Sequence, residues 1–163
     1  MLEHAFNSRA YDIVGIQEGR TNGDQERKGV HFKMYVAGAY KAAGGVQIWI
    51  NNKLSARLLA VRVVSPWIMY TIVYSQAHTR KLLIFNFHAP GEAAEHSIKL
   101  AFYALVHSAF AEAYASHPDC FVILTCDANA KVGSHASDSI GQCFKNAENG
   151  NGALFRAFLG EFK

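Results

Sequence analysis

The stretch "FVILTCDANAKVGS", residues 121–134, runs an apolar segment straight into a carboxylate and a carboxamide two residues apart, Asp127 and Asn129. Two other apolar segments end in the same manner: "GIQE" at Glu18, and "FNFHAP" at Asn86 and His88. Residues two apart on an extended chain point to the same side. Asp127 and Asn129 are therefore expected to face a common point, as are Asn86 and His88. Such a set suits a hard divalent cation and a phosphodiester. Glu18 offers a carboxylate oxygen to Mg²⁺, which keeps several waters and takes one or two protein carboxylates. Asp127 can orient or deprotonate an attacking water, while Asn129 and His88 can hydrogen-bond non-bridging oxygens as negative charge develops.

Each residue also has a plainer role. A glutamate after an apolar run is the solvated end of a strand. Asp-x-Asn after a strand is turn chemistry, since both side chains bond nearby backbone. A histidine before Ala-Pro is commonly structural or exposed. Taken singly, the residues leave the choice open.

The elements that must position them follow from periodicity. "LEHAFNSR" is expected to be a short helix, and "YDIVGIQ" (11–17) a strand that opens at Glu18 into the polar loop "EGRTNGDQERKG". The runs "FKMYVA", "GVQIWI", "RLLAVRVV", "WIMYTIVY" and "KLLIFNF" are rich in β-branched and aromatic residues, and turn-like stretches such as "YKAAGG" and "SQAHTRK" separate several of them. That is the pattern of consecutive antiparallel strands. From Glu92 to about Ala115 the period becomes helical, with Ile98, Phe102, Leu105, Val106, Ala109, Phe110 and Ala113 on one face. A strand over 121–126 follows. After the "ENGNG" turn, "GALFRAFLGEF" reads as a second amphipathic helix with Leu154, Phe155, Phe158 and Leu159 on its apolar side. Strands, a long helix, a strand and a helix make a layered α/β domain. Strand ends in such folds hold side chains with small tolerance and commonly carry the site.

A chain of 163 residues with 50% hydrophobic and 18% charged residues fits one globular domain over residues 1–163. The net charge of +3 permits a polyanionic partner without demanding one, and no Lys/Arg-rich block supports binding through a basic tail. Cys120, Cys126 and Cys143 match no zinc or redox spacing, and they are expected to be free thiols in a reducing compartment. The N-terminus lacks the layout of a secretory signal, and no window approaches the length of a membrane span. The expectation is a soluble, intracellular protein, nuclear or cytoplasmic, with no membrane partner.

Taken together and in order, these segments resemble the endonuclease/exonuclease/phosphatase (DNase I-like) superfamily. "DIVGIQE" stands where that family reads D-I-V-x-L-Q-E, and "GGVQIWI" where it has a G-G-V-x-I strand. "NFHAP" matches its N-x-Y/H-A-P segment, and "CDANAKVGS" its G-D-x-N-A segment. "ENGNGALFRAF" matches a trailing E-N-x-N-G-x-x-L/F-x-x-F. The last two resemble the endonuclease-like domains of non-LTR retroelements more than the lipid or inositol phosphatases.

The resemblance implies a partial four-layer α/β/β/α sandwich, mostly antiparallel with flanking helices. It implies a Mg²⁺- or Mn²⁺-dependent phosphodiester hydrolase, endonuclease-like, with DNA as substrate. Asp127 would activate the water, Asn129 would stabilise the pentavalent phosphate, Glu18 would hold the metal, and His88 would contact phosphate. Asn86 falls outside the catalytic set. In the loop over 19–31, Arg20 and Lys28, with Arg27 and His31, are candidate phosphate contacts, against a merely solvated charged loop.

The departures are equally specific. No strand bearing a metal-holding Asn precedes "LEHAF", and no Thr-Trp strand, further Asp or Ser-Asp-His segment follows. Cys126 replaces the usual Gly before the Asp; its thiol either crowds the backbone or fills the core. The chain looks truncated at both ends, mainly the C-terminus. It is expected to have weak or no activity alone, the missing half lying in a longer polypeptide. The alternatives are a non-catalytic remnant of the fold and a phosphatase acting on small phosphoesters.

Overall fold

In the strand Val46–Asn51, Val46, Ile48 and Ile50 turn one way while Gln47, Trp49 and Asn51 turn the other. That alternation, repeated in its neighbours, builds the layers. The structure, a computed structural model, describes residues 2–39, 44–133, 140 and 147–161. Two compact units make it up: residues 1–88 with 110–126, and residues 89–109 with 127–163.

In the first unit a helix, α1 (Leu2–Ser8), precedes β1 (Ile13–Ile16), β2 (Gln25–Lys28), β3 (Phe32–Ala37) and β4 (Val46–Asn51). These strands form an antiparallel sheet in the order β1-β4-β3-β2. After a 3-10 turn over Asn52–Leu54 the chain enters a second sheet. There β5 (Ala56–Ser65), β6 (Ile68–Ser75) and β7 (Arg80–His88) pair antiparallel, and β8 (Phe121–Asp127) lies beside β7.

The inner faces of the two sheets share one core. Tyr35, Ile48 and Ile50 from the first meet Met69, Val73, Leu82 and Ile84 from the second. On the outer side of the first sheet, Phe6 of α1 sets its ring edge-on to Trp49 at 5.8 Å. On the outer side of the second, Tyr70 stacks on Phe85 at 5.9 Å. Phe110, from the helix α2 (His96–Ser116), meets Phe85 edge-on at 5.5 Å. Helix, sheet, sheet and helix are thus layered within this unit, as expected: two mostly antiparallel sheets with flanking helices.

Close approach between the sheets depends on Gly15 in β1. A Cβ there would run into the Thr125 side chain of β8. The second unit holds the first part of α2 and the helix α3 (Gly150–Glu161), where Phe158 is buried and Phe155 stacks on it.

Three expectations change. The segment read as a polar loop contains β2, whose four residues Gln-Glu-Arg-Lys carry no apolar side chain and pair with β3 along the backbone ladder. Helix α2 starts at His96 rather than Glu92, because residues 91–94 close a turn with the Ala94 N–H on the Gly91 carbonyl. Its buried face is Lys99, Tyr103, Val106, Ala109, Phe110 and Ala113, while Ile98 and Leu105 are exposed.

Cys120 is a buried free thiol and Cys126 is half-buried in β8. Cys143, most of the "YKAAGG" turn, Ser134 and the chain end at Lys163 lie outside the described residues. Among the described residues no helix is long and apolar enough to cross a membrane.

Candidate functional site

In the first unit the site begins where β1 ends. Glu18 sits in left-handed backbone, φ +52°, and so does Arg20, φ +46°. Two hydrogen bonds hold this bend: the Gly19 N–H donates to the Gly45 carbonyl at 2.8 Å, and the Arg20 N–H to the Gly44 carbonyl at 2.9 Å. The "GG" that opens β4 thus moors the loop after β1. With the chain turned here, the Glu18 carboxylate lies 3.5 Å from the Arg20 guanidinium and 4.0 Å from His88 Nε2. The side chains of Glu18 and Arg20 are 52% and 71% exposed, that of His88 only 15%. Glu18, Arg20 and His88 are therefore brought together.

Beneath them Asn86 is wholly buried. Its Nδ2 donates to the Gln47 carbonyl at 2.8 Å and to the Ile16 carbonyl at 3.1 Å, and its Oδ1 accepts from Gln17 Nε2 at 2.7 Å. Asn86 ties β7 to β1 and β4 below Glu18; both its amide protons are used and it has no exposed surface to offer a substrate.

Lys28 is not brought to this place. The register sets Lys28 opposite Lys33, Lys33 opposite Ile50 and Ile50 opposite Ile13, whereas Ile16 lies level with Gln47. Lys28 thus stands at the other end of the first sheet, about 10 Å away along the strand direction. Arg27 donates to Gln25, and His31 meets His4 of α1.

In the second unit the Asp-x-Asn pair departs from strand alternation. The Asp127 carboxylate accepts the Asn129 N–H at 3.0 Å, an Asx-turn, and Asn129 takes left-handed backbone at φ +47°. The Asn129 Nδ2 donates to the Ala89 carbonyl at 2.8 Å, and the Ala89 N–H donates to the Asp127 carbonyl at 2.8 Å. The segments "HAP" and "CDAN" are thereby latched together. Asn129 Nδ2 carries a second proton beyond this bond, and the amide oxygen remains an acceptor.

The "ENGNG" stretch, read from sequence as a turn, supports this loop. Asn149 accepts the Lys131 and Gly152 N–H groups on its Oδ1, capping α3. Glu92 accepts the Gly150 and Asn151 N–H groups, and Lys99 Nζ lies 3.3 Å from its carboxylate. These bonds, that from Asn151 foremost, hold the Glu92 carboxyl below the usual carboxylate range. The signal for a capped helix was present in sequence as Asn-Gly-x-Gly ahead of an apolar run.

Mg²⁺ is the cofactor that the resemblance implies. A half-exposed carboxylate at a strand end fits a cation that retains most of its waters. Among the described residues no group of three His, Cys, Asp or Glu side chains forms a protein cage for a metal.

No family model matches the chain, and no curated protein does. Solved structures do. The catalytic domain of APE2 from Xenopus laevis superposes with a TM-score of 0.65 at 16% identity, over 96% of this chain and 62% of that one. The AP endonuclease LMAP from Leishmania major gives 0.64 at 11% identity, over 98% and 60%. TDP2 from C. elegans gives 0.56 at 15% identity, over 85% and 44%.

The chain has the DNase I-like fold. It spans roughly half the length of the structures it matches, from 44% to 62%. In this DNase I-like chain Glu18 follows β1, His88 ends β7 and Asp127 ends β8.

Proposed function

We propose that the chain is part of a Mg²⁺- or Mn²⁺-dependent phosphodiester hydrolase, endonuclease-like, with DNA as its substrate. The observation that carries this reading is the fold together with the residues at three of its strand ends, Glu18, His88 and Asp127, and with Asn129. Glu18 would hold the cation, which when bound supplies charge neutralisation at the phosphate. Asp127, its carboxylate oriented by the Asn129 N–H, takes the proton of a water as the water oxygen bonds to phosphorus. The P–O bond opposite the incoming water breaks, and the leaving oxygen takes up a proton from solvent. His88 and Asn129 donate hydrogen bonds to the non-bridging oxygens as their charge grows. Arg20 and Lys28 contact backbone phosphates, and their places at opposite ends of one sheet suit an extended polyanion better than a small phosphoester.

The matched structures are longer than this chain, so full turnover is proposed for a polypeptide carrying the rest of the domain, with weak activity here. A nuclear or cytoplasmic location accords with the reduced thiol of Cys120. A non-catalytic relic of the fold is the second reading. It is favoured by Arg20, whose guanidinium beside Glu18 competes with a metal for that carboxylate.

The test is nicking of supercoiled plasmid with Mg²⁺ and with EDTA, in competition with duplex DNA or a phosphoinositide. The reading expects nicking only with Mg²⁺ and competition by the duplex alone. Turnover that survives EDTA, or that the phosphoinositide suppresses equally, contradicts it.

A further inference from the structure

Asn151 is the second residue of α3 and has no exposed surface. Its Nδ2 donates to the Pro90 carbonyl at 2.8 Å and to the Asn129 carbonyl at 3.2 Å. Those two acceptors belong to the two segments latched through Ala89, so one amide holds both. Its Oδ1 is buried and has no donor among the described residues. A buried, half-satisfied amide is costly, and an apolar side chain would fill the same space without that cost. What an apolar side chain cannot do is bond two carbonyls at once.

The surroundings serve the same arrangement. Asn149 bonds the Lys131 N–H and, through Nδ2, reaches the Asn129 carbonyl at 3.4 Å. Glu92 fixes the N–H of Asn151 itself. At Gly152 a Cβ would run into the Lys131 carbonyl, so glycine alone lets α3 approach this closely. Asn129, at φ +47°, needs such support, because left-handed backbone persists in a non-glycine residue only where neighbours over-determine it.

We propose that Asn151 is a positioning residue that acts through Asn129. By bonding the Asn129 carbonyl it holds the left-handed turn, and with it the direction of the Asn129 side chain; "ENGNG" is then the seat of the Asp-x-Asn loop. The claim that this matters for hydrolysis rests on the proposed function. The clamp itself does not.

The test uses the full 163-residue chain with Asn151→Asp, which exchanges the amide donors for a carboxylate facing two carbonyls, and with the milder Asn151→Ser. Hydrogen exchange is followed residue by residue, together with the kinetics of plasmid nicking. The Asn129 and Lys131 amides should exchange at least ~10-fold faster, while Ile48 and Val73 keep their rates. Nicking should lose ~10-fold or more in kcat, with KM within about twofold.

Unchanged exchange in the loop overturns the proposal, and so does acceleration of all amides together. Should Asn151→Asp fail to fold, Asn151→Ser decides on the same readouts. A wild-type chain without hydrolysis would remove the functional reading, and loop exchange alone would then decide the clamp.

Discussion

The Asn129 side chain donates to the Ala89 carbonyl at 2.8 Å and so closes the "CDAN" turn onto the "HAP" segment. In the first unit Asn86 plays a comparable part beneath Glu18, tying strands from both sheets. In each unit, then, a carboxamide braces the candidate residues, and the consequences can be measured.

Asn86→Ala should be severely destabilising. It removes the two donors that reach the Ile16 and Gln47 carbonyls and the acceptor of the Gln17 amide, and it opens a small cavity. The expected loss is about 3 kcal/mol, read as a lower urea midpoint with an unchanged slope. A loss under about 0.5 kcal/mol would show that this buried network does not brace the strands.

Two glycines of α3 should respond oppositely to alanine. At Gly152 the added methyl meets the Lys131 backbone, which cannot move aside as a flexible side chain would; a loss of about 2 kcal/mol is expected. At Gly160 nothing lies within 4 Å, and alanine should gain about 0.5–1 kcal/mol from helix propensity. Thermal unfolding of the two variants measures both signs. Equal effects would contradict the packing described for the start of α3.

Much of this architecture was legible from the sequence, and the failures have physical causes. Strand β3 lies over "FKMYVA" as expected, because it pairs on both sides and turns residues into the core. Strand β2 was invisible: an edge strand held by backbone bonds needs no apolar residue. Helix α2 is apolar nearly all round, so its period did not reveal that Lys99, rather than Ile98, turns inward. The fate of Lys99 depends on Glu92, seven residues away and outside the helix.

At the site, Glu18, Asp127, Asn129 and His88 were identifiable as residues with chemistry. Alternation misjudged Asn129, because the Asp127 carboxylate ends the strand by capturing its N–H. Asn151 gave no hint of its part, since its two carbonyl partners come from distant stretches of chain.

Acid should weaken the fold through two glutamates. Glu3 accepts the backbone N–H groups of His31 and Phe32, and the first of these chiefly lowers its pKa; Glu92 is lowered chiefly by the Asn151 N–H. A carboxyl held lower in the folded state than in the unfolded state stabilises the fold above its unfolded pKa, and that contribution is lost as pH falls through the folded value. Stability should therefore decline below about pH 4. Glu92→Gln should flatten that decline while lowering stability at neutral pH. An unaltered acid profile in this variant would remove Glu92 from the account.

The most direct measurement is nicking of supercoiled DNA by the wild-type chain and by Asp127→Ala, at stoichiometric protein in Mg²⁺ over hours. The account predicts slow, EDTA-sensitive nicking by the wild type and a loss of at least ~100-fold in the variant, with both proteins equally folded. Equal nicking by the two proteins would contradict the role given to Asp127, and with it the proposed hydrolase.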